Sequence, residues 1–319
     1  MQQFKNLKEL FSYFKEEKTA WEYLEKQLWD NKPVCPHCGS KVAYRLAANY
    51  KQFHCGNKKG CNKKFTVTTG TIYENTKMPI ATWLGAIWLF TNHKKGVSSC
   101  QLARDLCITQ KSAWFMLHRI REMVKDANEI TLDENVSVDE TYVKGAAINR
   151  TKKQRRLIAE GKRKDDPAIV LGLVQKDGNA VMKVVPNAES DTLEPVINKH
   201  VENLETILVT DGHNSYPAIG AKYKQHVVIN HALGEYVNEG FSTNNAEGAF
   251  SWLKRTIYGT YHYVTPYHLQ RYCDMFSYRF ATRKMKDPER FNIATMKGKS
   301  RLRYVDLIQS KGKLKDVTL

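Results

Sequence analysis

Four cysteines in one short segment constrain the fold of this chain more than any other feature of its sequence. Two cysteine pairs, each on a glycine-containing turn, can place four thiolates around one tetrahedral zinc ion. The pairs are Cys35-x2-Cys38 in VCPHCGS and Cys55-x5-Cys61 in HCGNKKGC. We predict a structural Zn²⁺ site that holds together a zinc ribbon over residues 33–72.

The second cysteine pair leaves the identity of one ligand open. Its five-residue gap is wider than usual, so Cys61 is the least secure of the four ligands. His37 and His54 each lie beside a cysteine and could replace one thiolate in the site.

The remaining cysteines indicate a reducing compartment. Cys100, Cys107 and Cys273 are scattered through apolar surroundings, which does not suit a disulfide framework. The longest apolar run, residues 80–90, is too short to span a bilayer, which needs about 20 residues. The amino terminus lacks the apolar core of a signal peptide. We expect a cytoplasmic protein without membrane contact.

The charge of the chain points to its partner. Lysine and arginine total 50 against 33 acids, a formal net charge of +17. An excess this large favours a polyanion such as DNA, although a merely soluble basic protein can also carry it. Residues 149–166 are mostly charged and are interpreted either as a mobile basic insertion or as ordinary solvated surface.

Two helical regions flank the cysteine segment. Residues 1–32 carry apolar side chains at helical spacing. Over residues 79–128, Ser98 and Thr109 are suitable N-caps for two short helices with a tight junction, which predicts a helix-turn-helix. An ordinary helical hairpin in a core is the alternative. Such a motif places its second helix in the major groove. The residues of this helix that we expect to contact DNA are Gln110, Lys111, Ser112 and Arg119.

After Leu132 the pattern changes to strands. β-Branched runs separated by turn residues occur at 136–143, 168–175, 180–186, 206–211 and 226–230. Helical patterns occupy 191–203 and the segment that begins at Glu247. These elements predict a mixed α/β catalytic domain over residues 133–285, followed by a basic C-terminal tail over residues 286–319.

Three acids in this domain form a candidate metal site. Asp139 lies in a strand whose neighbours Val136 and Val138 point to the opposite face, and an acid in such a place is costly unless it is paired or binds a cation. Asp211 ends an apolar strand, and Glu247 begins an amphipathic helix. Three such acids can hold two Mg²⁺ ions about 4 Å apart for phosphodiester chemistry. Taken singly, each acid could instead be a turn or cap residue.

Lys254 and Arg255 extend the candidate site. Thirty-five residues separate Asp211 from Glu247, and Lys254 follows Glu247 by two helical turns on the same face. Both cations are therefore expected to contact a DNA phosphate beside the metal ions.

The same motifs carry a family resemblance. The triad, its interval and the following lysine resemble the DDE transposases of the RNase H-like superfamily. The segments CPHCGS, VDETYVKG, TDGHNSY and NAEGAFSWLKRTIYGTYHYVTPYHLQRY resemble the IS1595 (ISXO2-like) insertion-sequence transposases. The resemblance implies an RNase H-like mixed sheet flanked by helices, and it implies that Asp139, Asp211 and Glu247 bind Mg²⁺ or Mn²⁺ while Lys254 assists.

The resemblance also implies the partners: terminal inverted repeats and target DNA, bound by a homo-oligomer such as a dimer in the bacterial nucleoid. Asn244 and Asn245 are possible contributors, because some relatives carry Asn at the third acidic position. Glu140 should point to the face opposite Asp139 and is not assigned a catalytic role.

Three other functions are compatible with parts of this sequence. A tyrosine recombinase would use the tyrosines near His262 and His268, but it leaves the three acids unexplained. A zinc-ribbon and helix-turn-helix regulator without activity would use the β-rich half only to dimerise or to bind a ligand. A transposase recruited to another cellular task would keep the same motifs.

Overall fold

A computed structural model of the protein describes residues 2–57, 60–144, 151–160, 167–230, 233–235, 237–238 and 240–309. The chain forms two compact units, an N-terminal unit of residues 1–124 with 284–309 and a catalytic unit of residues 125–283. Among the helices of these described ranges, none is long and apolar enough to cross a membrane.

The helices in chain order are α1 (Leu7–Tyr13), α2 (Glu17–Trp29), α3 (Ile80–Asn92), α4 (Ser99–Asp105), α5 (Gln110–Met123), α6 (Lys152–Ala159), α7 (Ser190–His200), α8 (Pro217–Gly220), α9 (Asn244–Thr256), α10 (Pro266–Ala281), α11 (Asp287–Met296) and α12 (Tyr304–Gln309). The strands are β1 (Ala43–Leu46), β2 (Asn49–Cys55), β3 (Lys64–Phe65), β4 (Asn135–Val143), β5 (Ala168–Gln175), β6 (Ala180–Val185), β7 (Ile207–Asp211) and β8 (Gln225–Ile229).

The N-terminal unit contains a small antiparallel sheet in the order β1-β2-β3. Its inner face is apolar, because the rings of Phe53 and Phe65 stack 5.9 Å apart and Trp29 of α2 packs edge-on against both. Cys35 and Cys55 are buried in the same cluster. The sheet therefore uses one face to hold the cysteine segment on the helices that precede it.

The two predicted helices of the helix-turn-helix are present with both predicted caps. The Ser98 side chain accepts a hydrogen bond from the Gln101 backbone N–H, and the Thr109 side chain accepts one from the Ser112 backbone N–H. Cys107, in the junction between α4 and α5, adopts a left-handed backbone conformation with φ 51°. This turn lets the chain reverse within a few residues.

The predicted C-terminal tail is wrong over its described part. Residues 287–296 form α11, which packs on α2 and α3 of the N-terminal unit. Phe291 lies 5.9 Å from the Phe4 ring, 6.4 Å from Tyr23 and 5.4 Å from Trp88. The many basic residues of this segment made its one apolar stripe difficult to recognise in the sequence. Residues 310–319 lie outside the described residues.

The catalytic unit is built on a five-stranded sheet in the order β6-β5-β4-β7-β8. The first three strands pair antiparallel, and β4, β7 and β8 pair parallel. Leu193, Ile197 and Ile219 of α7 and α8 pack on one face, and Phe250 and Leu253 of α9 pack on the other. The predicted mixed sheet flanked by helices is confirmed.

Three details of this unit differ from the sequence prediction. Helix α9 begins at Asn244, one turn before Glu247. Helix α10 was not predicted, because Pro266 and the surrounding aromatics obscured its apolar spacing. The basic insertion contains α6, while its residues 149–150 and 161–166 lie outside the described residues.

Side-chain amides form hydrogen bonds with the backbone of β6, the outer strand of the sheet. The Asn128 amide, which is fully buried, accepts from the Met182 N–H at 2.8 Å and donates to the Met182 carbonyl at 2.6 Å. Gln270 of α10 accepts from the Val184 N–H at 2.8 Å. The amide of Asn128 therefore replaces a neighbouring strand at this edge of the sheet.

We predict that Asn128→Ala lowers the free energy of unfolding by about 2–4 kcal/mol. The substitution leaves the buried Met182 N–H and the buried Ser277 hydroxyl without the Asn128 carbonyl as acceptor, and each such loss costs about 1–3 kcal/mol. Urea denaturation of the native chain and the variant measures the difference. Asn198→Ala, which removes an exposed amide on α7, is the matched control and should change stability by less than about 1 kcal/mol. Equal effects of the two substitutions would contradict the role given to Asn128.

Candidate active site and cysteine centre

Asp139 and Asp211 lie side by side on adjacent parallel strands. In the register of β4 and β7, Val138 is paired with Thr210, and each aspartate is the next residue along its strand. Since side chains alternate along a strand, both carboxylates project from the same face of the sheet. Asp211 is also the last residue of β7. The structure therefore brings the first two predicted acids to one edge of the sheet.

The start of α9 is fixed over the same face. Ser137, two residues before Asp139 on β4, donates a side-chain hydrogen bond to the Ser242 carbonyl at 3.2 Å, just before α9 begins. Glu247 lies in the first turn of α9. This contact places the third predicted acid on the side of the sheet that carries Asp139.

A glycine lets α9 approach the sheet. Gly172 of β5 is paired with Asp139, and a Cβ at this position would lie 2.5 Å from the Phe250 ring of α9. No side chain fits such a gap, so the helix rests directly on the strand backbone. Sequence reasoning missed Gly172, although a glycine inside an otherwise β-branched strand is a signal of close approach.

The charges of the three acids act on one another. Burial, together with the negative charges of Asp211, Glu140 and Glu247, raises the pKa of Asp139 to about 7, although a hydrogen bond from the Glu140 backbone N–H opposes the rise. A carboxylate shifted in this way needs nearby positive charge to remain ionised at neutral pH. The electrostatics thus agree with the sequence prediction that Asp139, Asp211 and Glu247 form one cluster.

Glu140 faces away from this cluster, onto the side of β4 that holds Val136. Its carboxylate accepts a hydrogen bond from the Tyr216 hydroxyl, and Tyr216 is fully buried in the core beside α7. Burial raises the pKa of Tyr216, and the charge of Glu140 adds to the effect. Tyr216, which sequence reasoning missed, ties the loop after Asp211 to β4.

The loop that follows Asp211 is also held locally. The His213 backbone N–H donates to the Asp211 carboxylate at 3.1 Å, which forms a turn immediately after the strand. Together with Tyr216 this contact fixes the direction of the Asp211 side chain.

Lys254 and Arg255 lie in the last turn of α9. Lys254 is half-buried, and the exposed Arg255 donates from Nε to the Ser251 carbonyl at 3.2 Å. Glu247, Ser251 and Lys254 follow one another at helical spacing along one stripe of α9. Asn244 and Asn245 are exposed in the first turn of the same helix.

In the N-terminal unit, three of the four predicted DNA-contact residues lie at the start of α5. Gln110 and Lys111 are exposed and Ser112 is half-exposed. The Gln110 amide donates to the Ser99 hydroxyl at 2.8 Å, and Lys111 Nζ lies 5.5 Å above the Tyr304 ring. Their role in DNA contact stays a prediction.

The prediction that Arg119 contacts DNA is wrong. Its side chain is buried, and its guanidinium donates to the carbonyls of Leu302 at 3.0 Å, Ile72 at 2.8 Å and Glu74 at 2.9 Å. It also lies 4.5 Å from the Phe115 ring centroid. Arg119 therefore ties three segments of the N-terminal unit together and has no surface for a phosphate.

The four cysteines converge on one point. Their sulfur atoms all lie within 4.8 Å of one another, with Cys35 Sγ 3.8 Å from Cys61 Sγ and Cys38 Sγ 3.6 Å from Cys55 Sγ. Zn–S bonds of about 2.3 Å in a tetrahedron require sulfurs about 3.8 Å apart. A hydrogen bond from the Ser40 backbone N–H lowers the pKa of the Cys38 thiol. The cluster thus has the dimensions of a zinc–thiolate centre.

The fourth position of the cluster belongs to Cys61. His54 Nδ1 lies 3.1 Å from the Tyr44 hydroxyl and 3.1 Å from the Cys55 carbonyl, and neither His54 nor His37 belongs to the converging group. In the part of the chain that the structure describes, the three acids do not converge as closely as these sulfurs.

Two transposase domain families match separate parts of the chain. Residues 131–281 match the ISXO2-like transposase domain family, and residues 15–64 match the transposase zinc-ribbon domain family. Between them the two matches cover well over half of the chain, and they define a transposase of an insertion sequence. The chain belongs to the IS1595 family.

One relative is an uncharacterized protein in transposable element ISH50 of Halobacterium salinarum. It is 25% identical over 254 residues, which make up 76% of this chain and 84% of the relative. The alignment thus extends over most of both proteins.

We predict that Asp139→Asn stabilises the protein at high pH when no divalent cation is added. A folded-state pKa raised from 3.8 to about 7 contributes stability that is present below pH 4 and is lost as pH rises to 7. Asparagine does not ionise and so avoids this loss. The free energy of unfolding of the variant, relative to that of the native protein, should therefore rise by up to about 2 kcal/mol between pH 5.5 and 8.5. The whole pKa shift corresponds to a limit of about 4 kcal/mol. Urea denaturation at both pH values measures it.

Asp133→Asn, at an exposed aspartate outside the cluster, is the control and should show no such growth with pH. A pH-independent effect of Asp139→Asn would mean that Asp139 does not carry the raised pKa.

Proposed function

We propose that this protein is an active DNA transposase that cuts DNA at the ends of its element and joins the freed 3′-hydroxyl to target DNA. The observation that carries the proposal is that Asp139 and Asp211 project from one face of the sheet and that the charge of Glu247 acts on Asp139, in a chain of the IS1595 family. The net charge of +17 supports DNA as the substrate.

The three acids suit a pair of divalent cations. Carboxylate oxygens are the ligands that Mg²⁺ and Mn²⁺ prefer, and a buried acid whose pKa is raised by other acids favours bound positive charge. Asp139, Asp211 and Glu247 would together hold these ions. Such ions activate the attacking oxygen and stabilise the leaving oxygen of a phosphodiester.

The chain's own residues orient the substrate. Lys254, on the stripe of α9 that begins with Glu247, would pair with a phosphate next to the cut, and Arg255 would hold the adjacent backbone. Glu140 and Tyr216 hold the two aspartate strands in register without contacting DNA. In the first step water would attack the phosphorus, lose a proton and displace the 3′-oxygen of the element end, which leaves as a hydroxyl. In the second step this 3′-hydroxyl would lose its proton, attack a phosphorus of the target and displace the 3′-oxygen of the target strand.

The helix-turn-helix and the cysteine centre serve recognition and folding. The exposed residues Gln110, Lys111 and Ser112 would read the terminal inverted repeat from the major groove. Four thiolates fill every position of a tetrahedral site, so a zinc ion there would be structural. A dimer on DNA would allow both ends of the element to be processed together.

We predict that Asp139→Asn and Glu247→Gln abolish Mg²⁺-dependent cleavage of terminal-repeat DNA, with a loss of at least about 10³-fold in rate, and leave DNA affinity within about threefold of the native protein. Cleavage is measured on labelled duplexes and affinity by fluorescence anisotropy.

Glu202→Gln, at an exposed acid on the same unit, is the control and should cut at the native rate. Cleavage at the native rate by Asp139→Asn would overturn the proposal. Tight DNA binding without any cleavage by the native protein would favour a regulator instead.

We predict that Cys61→Ser loses the bound zinc while His54→Ala keeps it. The sulfur of Cys61 belongs to the converging group, whereas His54 contacts Tyr44 outside it. Zinc content is measured with a chromogenic chelator after unfolding and should fall from one ion per chain to near zero in Cys61→Ser.

Cys107→Ser, at an exposed cysteine away from the cluster, serves as the control and should retain zinc. Loss of zinc in His54→Ala with full retention in Cys61→Ser would assign the fourth ligand to the histidine.

A further inference from the structure

Tyr258 is an exposed aromatic residue just beyond the helix that carries Glu247. It is one of the tyrosines near His262 and His268 that a tyrosine recombinase would use. In the structure it follows α9 directly, in a turn of π-helix over Ile257–Tyr261, and it is 39% exposed. Such wide turns are rare and lie frequently at functional sites. An exposed ring in such a turn is a candidate contact for a ligand.

The turn that carries Tyr258 is anchored on both sides. His262, which follows it, has φ 59° and ψ −43°, and its Nδ1 lies 3.1 Å from the Tyr258 carbonyl oxygen. A non-glycine residue adopts a positive φ of this kind only at an energetic cost, and such residues cluster at functional sites. On the inner side, Ile257 is buried in the core, and the rings of Tyr261 and Tyr272 meet edge-on with centroids 4.8 Å apart. The backbone position of Tyr258 is therefore fixed.

The Tyr258 side chain is held at its hydroxyl. The backbone N–H of Lys144, directly after β4, donates a hydrogen bond to this hydroxyl at 3.3 Å. The contact orients the ring from its tip, while a large part of the side chain stays exposed. A ring that is already oriented loses little conformational entropy when a ligand packs against it.

Helix α9 runs along β4 from the acid cluster to Tyr258. The Ser137 hydroxyl of β4 contacts the segment before the helix, and Lys144 contacts Tyr258 after it. Tyr258 follows Glu247 by eleven residues, which is about 16 Å along a helix. Lys144 follows Asp139 by five residues, which is also about 16 Å along a strand. The ring therefore lies about 16 Å from the acid cluster.

One stripe of α9 connects the acid cluster with this ring. Glu247, Ser251 and Tyr258 are exposed, Lys254 is half-buried, and their helical spacing places all four on the same side. Apart from the neighbouring backbone of α9, no atom of the described residues comes within 4 Å of the place where a Cβ of Gly248 would lie. The small residues near Glu247 thus leave room for a phosphate backbone, and the stripe ends at the Tyr258 ring.

We propose that the Tyr258 ring packs against the apolar face of one nucleotide in the strand that is cut, and thereby aligns that strand with the acid cluster. The apolar face is that of a deoxyribose in paired DNA or of a base at an unpaired end. The proposal rests on the proposed function. Lys254 precedes Tyr258 by one helical turn, so a phosphate bound by Lys254 brings the adjoining nucleotide to the ring. Since 16 Å is the length of about five base pairs, the contact falls within about five nucleotides of the cut.

Tyr258→Ala and Tyr258→Phe test the proposal in the full-length protein with Mg²⁺. The alanine variant should cut terminal-repeat duplexes with a kcat/KM lower by roughly 5- to 150-fold, the range for loss of one aromatic contact with a nucleotide. The phenylalanine variant keeps the ring and should stay within about threefold of the native value. Tyr142→Ala is the matched control, because it removes a tyrosine of similar exposure from the opposite face of β4, and it should cut at the native rate.

Modified duplexes distinguish a contact with DNA from an effect on folding. A propyl spacer, which lacks both sugar ring and base, replaces one nucleotide at a time on either side of the cut. At one position the spacer should slow the native protein, and at that position it should slow Tyr258→Ala by less than about twofold. An abasic analogue that keeps the sugar is tested in parallel. Normal cleavage of the abasic duplex assigns the contact to the deoxyribose, and slow cleavage assigns it to the base.

Cleavage by Tyr258→Ala at the native rate would overturn the proposal. Equal sensitivity of the native protein and the alanine variant to every spacer would overturn it as well, because a purely structural role leaves the pattern of sensitivity unchanged. A covalent protein–DNA adduct that disappears in Tyr258→Phe would make the hydroxyl a nucleophile and contradict both proposals. If the native protein cuts and Tyr258 has no effect, only this contact is rejected. If the native protein cuts no terminal-repeat duplex, the proposed function fails and this contact fails with it.

Discussion

The catalytic unit depends on a half-buried carboxylate, that of Asp139, on the central strand of its sheet, where burial and three other acids oppose the negative charge. These effects raise the pKa of Asp139 to about 7. A protein that only needed stability would place an apolar residue here, since ionising a buried acid costs about 1.4 kcal/mol for each unit of pKa shift. Bound positive charge would offset this cost, whereas a structural core would gain nothing from it. The neighbouring features of the unit can be understood as the means of holding this unfavourable cluster in place.

Three contacts hold the cluster against its own repulsion. Gly172 lets the Phe250 ring rest on the strand opposite Asp139, so apolar packing draws α9 toward the sheet. The Ser137 hydroxyl fixes the segment that leads into α9, and Tyr216 ties the loop after Asp211 to Glu140. The second and third contacts each join two of the segments that carry acids, and the first joins α9 to the strand beside Asp139. None of the three uses a carboxylate of the triad, so the fold sets the positions of the acids through other groups.

The elements that the sequence predicted well are those whose signal is local. The strands of the catalytic unit follow β-branched runs, and both caps of the helix-turn-helix follow short-range side-chain chemistry. The acids and cysteines could be found because their residue types and spacings are characteristic. Arg119 could not be interpreted in this way. Its carbonyl partners lie 47 and 183 residues away in sequence, so its burial depends on segments that helical periodicity does not describe. Gly172 and Phe291 pose the same problem, because each is explained by a ring from a distant element.

The two sites also explain why the charge of the chain is distributed so unevenly. DNA brings negative charge to a cluster of carboxylates, and the interaction is repulsive until cations intervene. At the site itself, bound metal ions and Lys254 can offset the repulsion over a few ångströms, within the range at which charges act strongly. The metal ions and Lys254 add nothing to the capture of DNA at longer range. There the attraction comes from the net excess of lysine and arginine, and salt screens it over about 8–10 Å at moderate concentration. Under the proposed function, residues 31–73 of the N-terminal unit would supply such an excess, because they carry eight lysines and arginines and no Asp or Glu. Separating the cations that capture DNA from the acids that act on it avoids ion pairs between lysines and catalytic carboxylates, which would block the very oxygens that the metal ions need.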